Sequence, residues 1–328
     1  MSRDLEEDAL IAQILAPLAT DPGADGLLDD AATVRAGMED IVVSCDALAA
    51  GVHFFPDDPA DVIAAKALRV NLSDIAAKGA KPFGYLLALA AGEETDLAWA
   101  GAFAKGLEAD NKRYDVALLG GDTLRACAGG GTTLSVTAFG RLPRGTIVRR
   151  RTALPGDVLV VTGSIGDSAL GVRLRLGNAP FVVAPAHADR LVQRYLLPDP
   201  PVLLAATVRR HARAAMDISD GLLADCLKLC QAAKVGADVE VDRVPFSHAV
   251  RAAISDEPAA RDIALTGGDD YQILAAIPEE AVDAFRADSA DVGVRTTVIG
   301  RIREGEAAVT TLQDGVPITV QDSRFRHF

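Results

Sequence analysis

Aspartates are the residues of this chain most able to do chemistry. Asp29-Asp30, Asp46, Asp122, Asp217 with Asp220, and Asp269-Asp270 fall at the ends of expected elements, several beside small residues such as Gly120-Gly121, Gly221 and Gly267-Gly268. Glycine permits tight turns and close backbone approach. Two carboxylates about 4 Å apart repel by roughly 4 kcal/mol at an effective dielectric of 20, so a cluster of them stays ionised only with cations in between. Oxygen donors without a competing His/Cys pattern select a hard ion, magnesium over zinc. Magnesium commonly joins one or two carboxylates to substrate phosphates. The local alternative is that each Asp is a turn residue or helix cap; Asp220, in Asp217-Ile218-Ser219-Asp220-Gly221-Leu222, is placed to cap the helix that follows. Asp74 fits that alternative poorly. It lies inside an expected helix, on one face with Asn71 and Lys78, and an ion pair with Lys78 is its structural explanation.

Other motifs are weaker. The chain has no GxxxxGK[ST] and no GxGxxG following a strand. Thr162-Gly163-Ser164-Ile165-Gly166-Asp167-Ser168 reads either as a phosphate cradle at a helix N-terminus or as a plain strand-to-helix turn. The run Arg149–Arg151 is either a phosphate contact or a solvated surface. Cys45, Cys127, Cys226 and Cys230 lack CxxC spacing, which points to reduced thiols in a cytoplasmic protein, the last two as core.

Regular elements must position these residues. An amphipathic helix is expected over 5–19, capped by Asp4. Strands follow at 41–44 and 83–90, helices at 57–78 and 94–110, a buried strand at 116–119 ending in Gly120-Gly121-Asp122, and a strand at 132–141. Arg141-Leu142-Pro143-Arg144-Gly145 and Pro155-Gly156-Asp157 form a turn-rich join, and the chain divides there into residues 1–148 and 149–328. Beyond it, strands at 158–162, 237–241, 270–277, 297–302 and 307–311 alternate with helices at 164–176, 187–196, 201–214, 220–233 and 279–287. The class is α/β or α+β. At 328 residues the chain is long enough for two domains, and 49% apolar with 24% charged residues is an ordinary globular composition. A net charge of −13 argues against nucleic acid as a partner. No secretory signal is visible, and no apolar run is long enough to span a membrane.

Taken in order, the motifs resemble the thiamine-monophosphate kinase family of the PurM-like, AIR-synthetase-related ATP-binding superfamily. They are Asp29-Asp30-Ala31-Ala32, Ser44-Cys45-Asp46, Gly51-Val52-His53-Phe54, Lys66 through Ala77, Gly120-Gly121-Asp122-Thr123, Gly166-Asp167-Ser168, Asp217 through Leu222, Gly267 through Tyr271, and His327-Phe328. The resemblance implies an N-terminal and a C-terminal α/β domain, with two N-terminal domains pairing their sheets into a barrel in a homodimer. It implies magnesium contacts at Asp30, Ser44, Cys45, Asp46, Asp74, Asp122, Asp217 and Asp220. It implies ATP contacts at Gly121, Asp122, Arg150 and Ser219, and contacts to thiamine monophosphate at His53, Asp269 and Phe325. Leu28 replaces the family's usual Gly, Cys45 its usual Thr, and Asp269 often appears as Glu. A thiol is a poor magnesium ligand, so Cys45 would serve through its carbonyl.

The expected reaction moves the ATP γ-phosphoryl group directly onto the phosphate of thiamine monophosphate, with several Mg²⁺ ions and no general base. Two alternatives stand beside it: another PurM-like ATP-dependent enzyme, such as an aminoimidazole ribonucleotide or selenophosphate synthetase, and a non-catalytic Mg-nucleotide-binding relative.

Overall fold

A computed structural model describes residues 22–321, so the helix expected at 5–19, the tail His327-Phe328 and Phe325 lie outside the described residues. After a short 3-10 stretch come β1 (Ala32–Ala36), β2 (Glu39–Ala49), α1 (Ala60–Ala77), β3 (Lys81–Ala91), α2 (Leu97–Tyr114), β4 (Ala117–Arg125) and β5 (Thr133–Pro143). These five strands form one sheet in the order β1-β2-β5-β3-β4. A second run follows: β6 (Val158–Thr162), α3 (Asp167–Arg175), α4 (Pro185–Leu196), α5 (Ala205–His211), β7 (Ala214–Ile218), α6 (Leu222–Ala233) and β8 (Gly236–Glu240). It continues with α7 (His248–Asp256), α8 (Ala259–Thr266), β9 (Gln272–Ile277), α9 (Val282–Asp291), β10 (Thr296–Arg303), β11 (Val309–Gln313) and β12 (Val316–Ile318). Its strands make a seven-stranded sheet, β12-β11-β8-β10-β6-β9-β7. The mixed α/β class expected from the sequence is the one observed.

Helix α1 is the axle of the molecule. Almost all its residues are buried, including Lys66, Arg69, Asn71 and Asp74, because it packs on the first sheet with one side and on β7 and β9 of the second with the other. The contact with the first sheet is close. A Cβ at Gly140 of β5 would stand 2.3 Å from the Ile75 side chain, so glycine is required there. One apolar cluster therefore runs from Val42, Leu68, Ile75 and Val136 to Val160, Ala215 and Ile273. A second covers the far face of the second sheet, where Leu159, Val161, Met216 and Leu274 meet Leu222, Cys226 and Cys230 of α6. Covered on both faces, β6, β7 and β9 are buried at every position and mostly apolar, with Asp217 the one charge among them.

Several expectations need correction. The strand expected to be buried at 116–119 is instead β4, which extends through Gly120-Gly121-Asp122 and is exposed along its length. It has a neighbour on one side only, the parallel strand β3. The helix expected at 201–214 breaks into a 3-10 turn at Val202–Leu204, α5 and the start of β7. Strand β1, β12 and helices α7 and α8 were not foreseen. Both helices bury mainly small apolar residues, Ala249, Val250 and Ala253 in α7 and Ala260 and Ala264 in α8. Such residues give a faint apolar stripe.

Candidate active site

Three carboxylates converge where α1 meets both sheets. Asp30 precedes β1, Asp74 sits in the last turns of α1, and Asp217 lies near the end of β7. One oxygen from each falls within 4.8 Å of the others. Asp74 and Asp217 are buried. Burial pushes the Asp217 carboxyl up to about 7, with the Asp225 charge adding to it. Burial also holds Asp74 well above the usual carboxylate range, with Asp217 and Asp46 raising it further. The Ser44 hydroxyl of β2 donates to Asp74 Oδ2 at 2.5 Å and stands 3.2 Å from the Asp30 carbonyl. Asp46, one turn of the pleat along, has its N–H bonded to Asn71 Oδ1 at 2.9 Å. Burial and Asp220 raise its carboxyl too.

The compensating cations lie on one side. Lys78, fully buried at the end of α1, reaches Asp29 Oδ1 and Asp30 Oδ2, each at 2.7 Å, and the Ala215 carbonyl at 2.7 Å. The ion pair expected between Asp74 and Lys78 is thus replaced by pairs to Asp29 and Asp30. Arg150 pairs with Asp30, and Arg149 stands 3.5 Å from Asp25 and from Asp29. The arginine run is therefore joined to the acidic site. Carboxyls pushed upward together, with oxygen donors and no thiol or imidazole among them, suit a hard divalent cation.

Two loops of the second sheet complete this region. Asp225, buried in the first turn of α6, accepts the backbone N–H groups of Ser219, Asp220 and Gly221 at 2.9–3.1 Å. Asp225 thus does the capping work the sequence suggested for Asp220. Asp220 itself is exposed and pairs with Lys228. The loop before β9 is tied to this one by Asp269 N–H to the Ser219 carbonyl and Tyr271 N–H to the Ile218 carbonyl, both 2.8 Å. Asp269 and Tyr271 both adopt positive φ, 70° and 49°. Asp270 turns the other way and accepts the Gly166 N–H at 2.7 Å. The N-terminus of α3, offered by the sequence as a phosphate cradle, is filled by this carboxylate. Burial raises the Asp270 carboxyl well above its ordinary value.

A second group of side chains lies beside the Asp269 loop. His53 follows β2, and its Nδ1 accepts the Ala49 N–H at 3.1 Å, which places the neutral ring's proton on Nε2. Asp269 Oδ1 accepts from the Tyr271 hydroxyl at 3.0 Å, and Oδ2 from Lys66 at 3.0 Å. The sequence assigned no role to Lys66, Tyr195, Tyr271 or Asp225. For Lys66, a lysine between the apolar residues Ile63-Ala64-Ala65 and Ala67-Leu68 of an expected helix was the available signal.

Gly121, Asp122 and the Cys45 thiol stand apart. Cross-strand pairing runs Ala47–Ser135, Ser135–Ala88 and Ala88–Asp122, whereas Asp46 pairs with Val136. Facing partners share a sheet face, so Asp122 projects from the face opposite Asp46. It is also three strands away, about 14 Å at the usual spacing. The Cys45 thiol points to that same outer face, touching Ser135 at 3.4 Å and Thr137 at 3.3 Å. Only its backbone can turn toward the acidic group.

Comparison with known proteins identifies the family. Residues 28–142 match the AIR synthase related protein N-terminal domain, and 155–313 its C-terminal domain. Thiamine-monophosphate kinase of Caulobacter vibrioides is 42% identical over 303 residues, covering 90% of this chain and 84% of that one. The chain belongs to the thiamine-monophosphate kinase family. Its fold matches a solved structure described as AaThiL complexed with AMPPCP and TMP, at a TM-score of 0.84 and 28% identity over the whole of both chains. Thiamine-monophosphate kinase from Stenotrophomonas maltophilia superposes at 0.77 with 39% identity, over 96% of this chain and 98% of the other. Membership makes the protein a phosphotransferase, as the sequence motifs implied. Among the described residues no helix is long and apolar enough to cross a membrane.

Proposed function

We propose that this protein transfers the γ-phosphoryl group of ATP directly to the phosphate of thiamine monophosphate, forming thiamine diphosphate. The observation that carries the reading is the Asp30–Asp74–Asp217 group in a chain of this family. The acceptor oxygen is already anionic near neutral pH, so no side chain need remove its proton. Repulsion between two polyanions is the obstacle, and positioning with charge neutralisation is the remedy. Magnesium bound by Asp30, Asp74 and Asp217, with Ser44, Asp46, Asp220 and the Cys45 carbonyl nearby, would supply the positive charge that lets the phosphates approach. Arg150 and Ser219 contribute on the ATP side. Arg150 exchanges its pair with Asp30 for phosphate oxygens, a switch suited to a guanidinium. His53 and Asp269 face the acceptor, with Phe325 covering it.

Asp122 and Gly121 enter the scheme through a homodimer. They lie on the exposed strand β4 beside Leu118, Leu119 and Leu124, all exposed. An open edge of this kind is suited to pairing with a second copy. We propose that each ATP site is finished by the partner's β4. We divide the chain into working domains at 148/149, between the two sheets. Four free thiols suit a reducing cytoplasm, where we place the protein.

Incubating the protein with ATP, Mg²⁺ and thiamine monophosphate, then separating products by chromatography, tests the activity. Thiamine diphosphate and ADP should appear in equal amounts. Hydrolysis of ATP without thiamine diphosphate, or turnover only with another superfamily acceptor, would overturn the assignment. An ATP-only incubation should leave no radiolabel on the protein.

A further inference from the structure

Lys66 is a buried ammonium with three partners drawn from three other elements. Its side chain is 3% exposed. Its Nζ donates to the His53 carbonyl at 2.9 Å and to Asp269 Oδ2 at 3.0 Å, and lies 3.8 Å above the Tyr195 ring. Tyr195, from α4, also sends its hydroxyl toward the His53 carbonyl, at 3.4 Å. A buried ammonium is costly unless its hydrogens are used and its charge is met. Here a carbonyl, a carboxylate and an aromatic face meet it. Asp269, about one third exposed, keeps an open side while Lys66 and Tyr271 hold one oxygen each.

We propose that Lys66 is a positioning residue that locks the His53 loop and Asp269 into one acceptor-binding unit. The inference rests on the reading that these two residues face thiamine monophosphate. It adds what that reading lacks, namely what fixes their separation. His53 comes from the first sheet and Asp269 from the second, and α1 is the helix packed between them. Lys66, on α1, donates to both. The ammonium also offsets the Asp269 charge, so the pair is neutral and fitted to accept an N–H from the acceptor's uncharged ring rather than to act as counter-ion to a cationic one.

The test is steady-state kinetics with either substrate varied, on wild type, Lys66→Met, Lys66→Gln, His53→Ala and Asp269→Asn. Lys66→Met should raise KM for thiamine monophosphate about tenfold or more, leaving KM for ATP within about twofold. Lys66→Gln, which retains one donor for the His53 carbonyl, should fall in between. In the Lys66→Met background, Asp269→Asn should add less than its effect alone, because the two residues act as one unit. Equal changes in both KM values, or additive effects, would mean that Lys66 is merely structural. If His53→Ala and Asp269→Asn leave KM for thiamine monophosphate unchanged, the acceptor reading itself fails. If they raise it and both Lys66 variants do not, only the Lys66 proposal fails. Should Lys66→Met not fold, Lys66→Gln carries the same comparison.

Discussion

A carboxylate's environment, not its presence, decides what it does in this protein. Asp270 and Asp269 are neighbours, yet one is buried against the start of α3 and the other opens toward the candidate acceptor site. For Asp270, burial raises the folded pKa well above the unfolded value of 3.8. The native state then holds more protons than the unfolded chain above pH 4, so stability falls as pH rises through that window toward the folded pKa. An Asn at this position cannot ionise and can still accept the Gly166 N–H. Wild type should therefore lose stability relative to Asp270→Asn as pH rises above about 4, by up to roughly 1.4 kcal/mol per pH unit until the folded carboxyl ionises. Denaturant melts at several pH values check this, and parallel curves for the two proteins would contradict it. The residue types at the site were readable from sequence because aspartates recur at the ends of expected elements and, at Asp74, inside an expected helix. The partners were not. Lys78, Asp29 and Arg150 meet only once α1 is laid between two sheets, and spacing along a chain says nothing about that.

Elements hold the site by close backbone approach. The loops after β7 and before β9 are stitched together through Ser219 and Ile218, and Gly268 is where they nearly touch. A Cβ there would stand 2.0 Å from the Ser219 carbonyl oxygen. Gly268→Ala must part the loops, moving Ser219 and Asp269 together. It should cost about 2 kcal/mol of stability and lower kcat/KM for both substrates at least tenfold. A variant with the wild-type melting temperature and kinetics would show that the contact is not required. Long elements with strong periodicity, α1 and β3 among them, were legible in the sequence. Strand β4 was misread, because Val116-Ala117-Leu118-Leu119 has the apolar run of a buried strand but lies at the sheet edge. A run of apolar residues reports a need for cover. It does not report whether the chain itself or a second copy supplies it.

At the scale of the whole molecule, α1 is clamped between two sheets, and acidic groups from the first domain, the helix and the second domain meet at its end. The proposed dimer adds β4 of a second copy. Mixing two inactive proteins, Asp74→Asn and Asp122→Asn, then becomes informative. If Asp122 serves the partner's site, random exchange of subunits should restore about a quarter of wild-type turnover, since half the dimers carry one intact site. No recovery after proven exchange would place Asp122 in its own subunit's chemistry or in none. The claim beneath all of this is that Asp30, Asp74 and Asp217 together cage divalent cations. Titrating Mn²⁺ into the protein with an unreactive ATP analogue, and reading free ion by electron paramagnetic resonance, addresses it directly. Wild type should take up Mn²⁺ beyond what the nucleotide alone holds, and Asp74→Asn with Asp217→Asn should abolish that excess. Identical isotherms for the two proteins would contradict the account.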